Sequence, residues 1–373
     1  MSDNQVRGKA ITFILLLVAL SLIKTTMVTS SNTAFRLRKL GSVDTGYDAF
    51  DVWVENEIAY VTCGYDGFKI YDVSDPSKIV ELAHLPEGSG GYAHQLFFNV
   101  ENAIAFIGDG HGGVRIINCT QTTDPVDIIS NLPIGGYPYD IHFIGNIAYI
   151  ADAERGLLIV DFQDIMNPIV LGSYNHDVYG DAYNIEIRGN IAFLSAGISG
   201  TYVIDIENSS NPVLKDHYVG LSSSGVHAID LKLYKDNAFI SYWPLAVELV
   251  DISNLTDLTT IKQLSEGVPA ATLVHPEFDI LYIADMSNGL KLLNITDPVN
   301  SEEIAQIPDT SDAYRMFLSD NFLYLTIQSG QLIIFEQTSS TYSSPGISFL
   351  VTFLFLMILI VFSGRKRMDS AKR

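Results

Sequence analysis

The chain is 373 residues long, with 47% hydrophobic residues, 17% charged residues and a formal net charge of −21. That balance excludes intrinsic disorder and suits many buried strands. The two ends hold eight basic residues (Arg7, Lys9, Lys24, Arg365, Lys366, Arg367, Lys372 and Arg373) against Asp3 and Asp369, so the stretch between them carries 14 basic and 41 acidic residues, a net of −27. Such a surface repels phosphate backbones, which excludes nucleic acid and leaves cations, sugars and basic proteins as partners.

In chain order, Arg7 and Lys9 precede an apolar run over 10–23 and a small polar stretch over 25–31. Residues 1–31 read as a secretory signal, with an uncleaved N-terminal anchor as the alternative. Residues 35–43 form a lone strand ending Leu40-Gly41-Ser42-Val43, similar to Leu171-Gly172-Ser173-Tyr174 further on. The chain then repeats itself, with register marks at Asp72, Asn118, Asp161, Asp205, Asp251, Asn294 and Phe335, a period of about 44 residues. Self-similarity at a period of about 40–50 residues is the mark of a propeller or a stacked array.

The third repeat is the clearest, with strands expected over 139–144, 147–151, 157–161 and 169–174 and a tight hairpin at Gly145-Asn146. Glycine stands five residues before the register mark in six repeats (Gly67, Gly113, Gly156, Gly200, Gly289, Gly330), and Ala246 takes the slot in the fifth. Asp109, Asp152 and Asp285 stand four residues before that slot and are expected to cap their own turns. The seventh repeat stops without a fourth strand, so the strand over 35–43 is expected to complete its sheet and close a ring of seven blades. An open solenoid, the competing arrangement, would not need a displaced strand. The fold class expected is therefore all-β, a seven-bladed β-propeller over 35–336.

Beyond it, residues 337–346 form a Ser/Thr-rich linker, 347–364 an apolar segment expected to span a membrane, and 365–373 a basic cytoplasmic tail. That gives a type I single-pass protein of the cell membrane with the propeller outside. Ser343-Ser344-Pro345-Gly346 ahead of the apolar run also leaves room for cleavage by a surface transpeptidase. Cys63 and Cys119 fall at opposite rims and are not expected to pair.

The segments GLLIVDFQDIMNP (156–168) and FKIYDVSDP (68–76) resemble LVIVD repeats, found in surface β-propellers of archaea and bacteria. The resemblance implies the fold and display at a surface, and implies no defined chemistry. Leu258 replaces the turn proline in the fifth repeat, and the seventh lacks that turn.

In a propeller the start of the inner strand and the turn between the second and third strands share one face around the axis, where pockets form. This face is expected to carry Tyr47, Asp51, Tyr92, His94, Tyr137, Asp140, Tyr183, His227, Asp230, Tyr242, Trp243 and Tyr314, with Gln95, Asn184 and Arg315 beside them. Aromatic faces and carboxylates suit a glycan or a peptide; the plainer reading makes the tyrosines wedges between blades. A binding or adhesion module follows, with an extracellular protein or glycan as its ligand. The competing class is a hydrolase or lyase acting on polysaccharide, since Asp51, Asp140 and Asp230 could supply paired carboxylates. No HExxH, paired Cys/His or EF-hand pattern occurs, so no cofactor is expected beyond a loosely bound calcium. Sequons at Asn118, Asn208, Asn254 and Asn294 fall on the opposite rim; they mark glycosylation or an inherited polar turn.

Overall fold

A computed structural model of the chain describes residues 33–87, 91–132, 136–175 and 180–341. The signal segment over 1–31 and the apolar segment over 347–364 lie outside the described residues. Among the described residues, no helix is long and apolar enough to cross a membrane.

The compact unit Leu37–Gln337 is built from seven four-stranded antiparallel sheets. Blade 3 shows the plan, with strands Pro138–Ile144, Ile147–Asp152, Gly156–Asp161 and Ile169–Tyr174 paired in that order. The alternation along its second strand explains why it is apolar throughout. Tyr149 and Ala151 enter the core shared with blade 4, where they meet Ile185 and Leu194. Ala148 and Ile150 point the other way, into the core shared with blade 2 beside Phe106 and Ile116. A strand has two faces, and here both are core. The inner strands contact one another from blade to blade round the full circle. Blade 7 takes its outer strand from the N-terminal side: Thr33–Asp44 pairs with Gln331–Thr341, so the ring is closed as its missing fourth strand required. Cys63 and Cys119 are buried free thiols.

The recurrent glycine has a steric cause. All six adopt positive φ, between 77° and 94°. A Cβ at Gly200 would lie 2.3 Å from the backbone oxygen of Tyr218 in the outer strand. In blade 5 Ala246 pairs with Tyr242 across the same three-residue span as Gly156 with Asp152, but without positive φ. The slot there needs no left-handed residue. Gly200→Ala is therefore expected to lower unfolding stability by about 1–3 kcal/mol, whereas Ala246→Gly should cost at most about 1 kcal/mol. Urea titration of the two variants checks this, and equal effects would refute the steric account.

The turn aspartates require a correction. Asp285 does cap its own turn, accepting from the amides of Ser287 and Asn288, both at 2.9 Å. Asp109 and Asp152 make no cap bond to theirs. Asp109 accepts instead from the amide of Tyr92 at 2.6 Å, and Asp152 from that of Tyr137 at 2.9 Å. These carboxylates tie the end of the second strand to the residue leading into the inner one. They thereby fix two aromatic side chains at the axis.

Candidate functional site

One register position at the head of the inner strands sets the floor of the axis: Asp51, Gln95, Asp140, Asn184, Asp230, Ala271 and Arg315, from blade 1 to blade 7. Where this side chain is a good acceptor, it takes the amide of the following residue in the next blade. Asp51 accepts from Leu96 at 2.9 Å, Asp140 from Ile185 at 3.0 Å, Asn184 from Leu231 at 3.0 Å and Asp230 from Thr272 at 2.7 Å. These bonds lace neighbouring blades together. Arg315 cannot accept; it reaches past Ala271 and donates to Asp230 at 2.6 Å. Burial raises the pKa of Asp51 to about 6 against the opposing pull of Arg315. Burial also works to discharge Arg315, but Asp230 foremost among three carboxylates holds its pKa above the ordinary value.

The residue just before this position points into the mouth of the ring: Phe50, His94, Tyr139, Tyr183, Ile229, Ala270 and Tyr314. In blades 3, 5, 6 and 7 it is the extra residue of a β-bulge, between Pro138 and Asp140, Ala228 and Asp230, Pro269 and Ala271, and Ala313 and Arg315. A bulge re-aims a side chain and breaks the alternation. Two consecutive residues of each strand thus serve the axis.

The result is a cavity of about 370 Å³, lined by these seven with Tyr92, Tyr137, His227, Trp243, Met286, Arg315 and Gln328. Its aromatic wall is continuous. Phe50 stacks on His94 with centroids 4.7 Å apart, and Tyr139 packs between Tyr137 and Tyr183, at 4.8 Å from each. His94 is pushed down to about 3 by burial, and by Arg315 after it, so its ring is neutral; its Nε2 lies 3.1 Å from the Tyr314 hydroxyl. The side over blades 5 and 6 is aliphatic, with Ile229, Ala270 and Met286.

Of the twelve residues expected at this face, Tyr92, His94, Tyr137, Tyr183, His227, Trp243 and Tyr314 line the cavity. Asp51, Asp140 and Asp230 do not; they lie in the ring beneath, engaged with backbone amides. Tyr242 is fully buried in the core between blades 4 and 5. Tyr47 is 57% exposed and stands outside the lining. Its tyrosine neighbours in sequence logic occupy different registers: Tyr92 and Tyr137 lie two residues ahead of the bulge position that Tyr183 and Tyr314 occupy. Phe50, Tyr139, Ile229, Ala270, Met286 and Gln328 went unnoticed in the sequence. Aligning the repeats on the ring position would have found the first four. Buried tyrosines between blades do exist, at Tyr71, Tyr149 and Tyr202, but on the second and third strands.

Among the described residues, no group of three His, Cys, Asp or Glu side chains is placed to hold a metal ion. At the opposite rim, the side chains of Asn118, Asn208, Asn254 and Asn294 each accept from the amide two residues on. Asp72, Asp161, Asp205 and Asp251 do the same. The shared Asx turn accounts for polar residues there with or without sugars.

One charged cluster flanks the cavity wall. Arg115 is forked onto Asp127 at 2.8 and 3.1 Å and reaches Glu87 at 3.2 Å, while Asp109 beside them holds Tyr92. Burial, then the adjacent Asp109 carboxylate, pushes Glu87 well above the usual carboxylate range. An acid raised on folding contributes stability that is present below its unfolded value, here 4.5, and lost as pH climbs through the folded value. Glu87→Gln should match the parent at pH 4 and exceed it at pH 8 by at least about 1.4 kcal/mol, the worth of one pKa unit. Denaturant midpoints at the two pH values decide it, and a parallel pH dependence in parent and variant would refute the assignment.

The LVIVD repeat family matches residues 46–84, 135–176, 179–219 and 225–264. These are blades 1, 3, 4 and 5. No curated protein matches the sequence significantly. Among solved structures, the chain is similar to the computationally designed Ika8 protein at 13% identity and a TM-score of 0.58, covering 80% of this chain and 99% of that one. It is also similar to Raptor from Chaetomium thermophilum at 12% identity and a TM-score of 0.67, covering 83% of this chain and 29% of that one. At such identities the likeness concerns the fold alone, and a fold of this kind hosts many functions. The chain carries LVIVD repeats, four of them matched by the family model, on a seven-bladed β-propeller.

Proposed function

We propose that this protein is a binding module displayed at the cell surface, which captures an extracellular ligand in the axial cavity. The observation that carries the reading is the division of labour at the axis. The carboxylates that could do acid–base chemistry are taken up by backbone amides, while the cavity itself offers aromatic faces and a few polar tips. Such a lining binds and orients; it brings no free carboxylate pair to a substrate. Display rests on the sequence: the signal-like or anchor-like segment over 1–31, the apolar segment over 347–364 and the basic end support a propeller outside and a tail inside. Glycosylation at Asn118, Asn208, Asn254 and Asn294 would leave the cavity face clear.

Two measurements test the reading. Protease added to intact cells expressing the full chain should remove the propeller and spare the tail; a fully protected propeller refutes surface display. Full-length protein screened on glycan and peptide arrays should retain ligands that Tyr183→Ala and Trp243→Ala release. Binding indifferent to both variants refutes the axial site, and shortened polysaccharide products would make the protein a hydrolase or lyase instead.

A further inference from the structure

The ring of large side chains is broken at one place. Blades 1, 2, 3, 4 and 7 put Phe50, His94, Tyr139, Tyr183 and Tyr314 at the mouth, whereas blades 5 and 6 put Ile229 and Ala270. Beneath Ala270 the floor position is Ala271, so the guanidinium of Arg315 passes under the gap on its way to Asp230. We propose that the cavity takes a neutral saccharide, seated over blades 5 and 6 with a ring oxygen or hydroxyl on Arg315 and its apolar face against Trp243. This deepens the reading of the cavity as a ligand site and rests on it.

Three observations select the chemistry. Arg315 is 11% exposed at its side chain, and its Nε has no hydrogen-bond partner; buried Nδ1 of His94 has none either. A buried donor left unmade costs about 1–3 kcal/mol, which a ligand oxygen would offset. The charge of Arg315 is already answered by Asp230, with Asp51 and Asp140 acting on it as well. A carboxylate ligand would meet that surplus negative charge, and an ammonium ligand would meet the guanidinium that lines the cavity. Neither sign is favoured, so the acceptor must be neutral. Finally, Trp243 is 41% exposed beside His227, an aromatic face in water at the open side of the cavity. Sugars pair an apolar CH face with hydroxyl acceptors, as this gap requires.

The chain has two tryptophans, and Trp53 lies away from the cavity between Phe97 and Phe317. In full-length protein carrying Trp53→Phe, Trp243 therefore reports alone. Methyl glycosides of glucose, galactose and N-acetylglucosamine, and their β-linked disaccharides, are titrated against its fluorescence. At least one neutral sugar should give a saturable change, with glucuronic acid and glucosamine about tenfold weaker or worse, roughly the loss of one good hydrogen bond to a charged group. Ala270→Phe, which gives blade 6 the ring that blade 1 carries, should abolish the response with unchanged thermal unfolding. Should that variant misfold, Ile229→Phe narrows the gap from blade 5. Equal binding of the charged sugars, or a sugar response that survives both substitutions, overturns the proposal. A cavity that ignores every sugar but takes a basic peptide, blocked by Ala270→Phe, overturns the saccharide and keeps the ligand site. Silence of Trp243 toward sugars and peptides alike overturns both.

Discussion

Arg315→Met should lower unfolding stability by about 3–5 kcal/mol at neutral pH, the usual effect of removing one partner from a buried ion pair. The side chain is long enough to keep the packing, so the loss isolates the charge. Arg315 donates to Asp230 at 2.6 Å and draws on Asp51 and Asp140; without it three buried carboxylates share the axis, and the nearest cation, Lys232, is bonded to Glu186 rather than to Asp230. The pH dependence gives the mechanism away. Burial already raises the pKa of Asp51 from its ordinary 3.8 to about 6, against the pull of Arg315. With the guanidinium gone, its folded value climbs further. A raised acid supplies stability below its unfolded value and loses it as pH rises through the folded one. The deficit of the variant should therefore be smallest near pH 4 and widen toward pH 8. Asp230→Asn on the same background should restore part of the stability, because the amide oxygen still accepts from Thr272 while the unpaired charge disappears. Urea unfolding of parent, single and double variants at both pH values measures all three effects. A pH-independent loss, or a double variant weaker than the single, would mean that Arg315 acts through packing alone.

Why the architecture was legible and the site only partly so comes down to which residues repeat. Strands such as Ile147–Asp152 recur because each must fill two cores, and the six glycines recur because their turns need positive φ, with an outer-strand carbonyl also blocking a Cβ at Gly67, Gly200 and Gly289. The first constraint acts in every blade and the second in all but blade 5, so they print a period. The displaced N-terminal strand was readable for the same reason: closing a ring leaves one sheet short at the far end. The axial cavity obeys no such rule. Its seven mouth positions run from Phe50 to Ala270, and their variation is what makes the cavity asymmetric. The tyrosines Tyr47, Tyr92 and Tyr183 belong to three registers, and Phe50 and Tyr139 stand outside the tyrosine pattern. The β-bulge hid the rest. Simple alternation would send only one of Tyr139 and Asp140 toward the axis, and the bulge between Pro138 and Asp140 lets both serve it. Tyr242 departs in the opposite sense: it holds the strand-end place that Asp152 and Asp285 take in blades 3 and 6, and its ring turns to Leu231 and Val250 in the core. The aspartates raise hydrolase or lyase chemistry as the competing class because carboxylates near an axis suggest it. The amides that donate to them, one blade further on, leave no trace in a single repeat.

Internal deletion of residues 37–44 should be the most damaging change of all. The segment is most of Thr33–Asp44, the outer strand of blade 7, and its loss exposes the edge of Gln331–Thr341. Packing goes with it: Val43 joins the core of Ala49, Val52 and Tyr324 between blades 7 and 1. The ion pair of Arg38 with Glu336 at 2.6 Å is 69% exposed on the arginine side and contributes little. Pairing and burial dominate. A domain of ordinary stability holds about 5–15 kcal/mol in total, and an unpaired strand edge is a template for aggregation. The deleted chain should therefore lose its cooperative transition and associate, as light scattering and calorimetry would show. A synthetic peptide of residues 33–44 added in trans should restore a cooperative transition by supplying the missing strand. The same peptide with Gly41→Val should not, because a Cβ there would fall 1.9 Å from the carbonyl oxygen of Pro76 in blade 1. That contrast separates strand addition from general hydrophobic protection. A deleted chain that stays monomeric with an unchanged transition would show that six complete blades and a three-stranded seventh suffice, and that the closing strand does not hold the ring together.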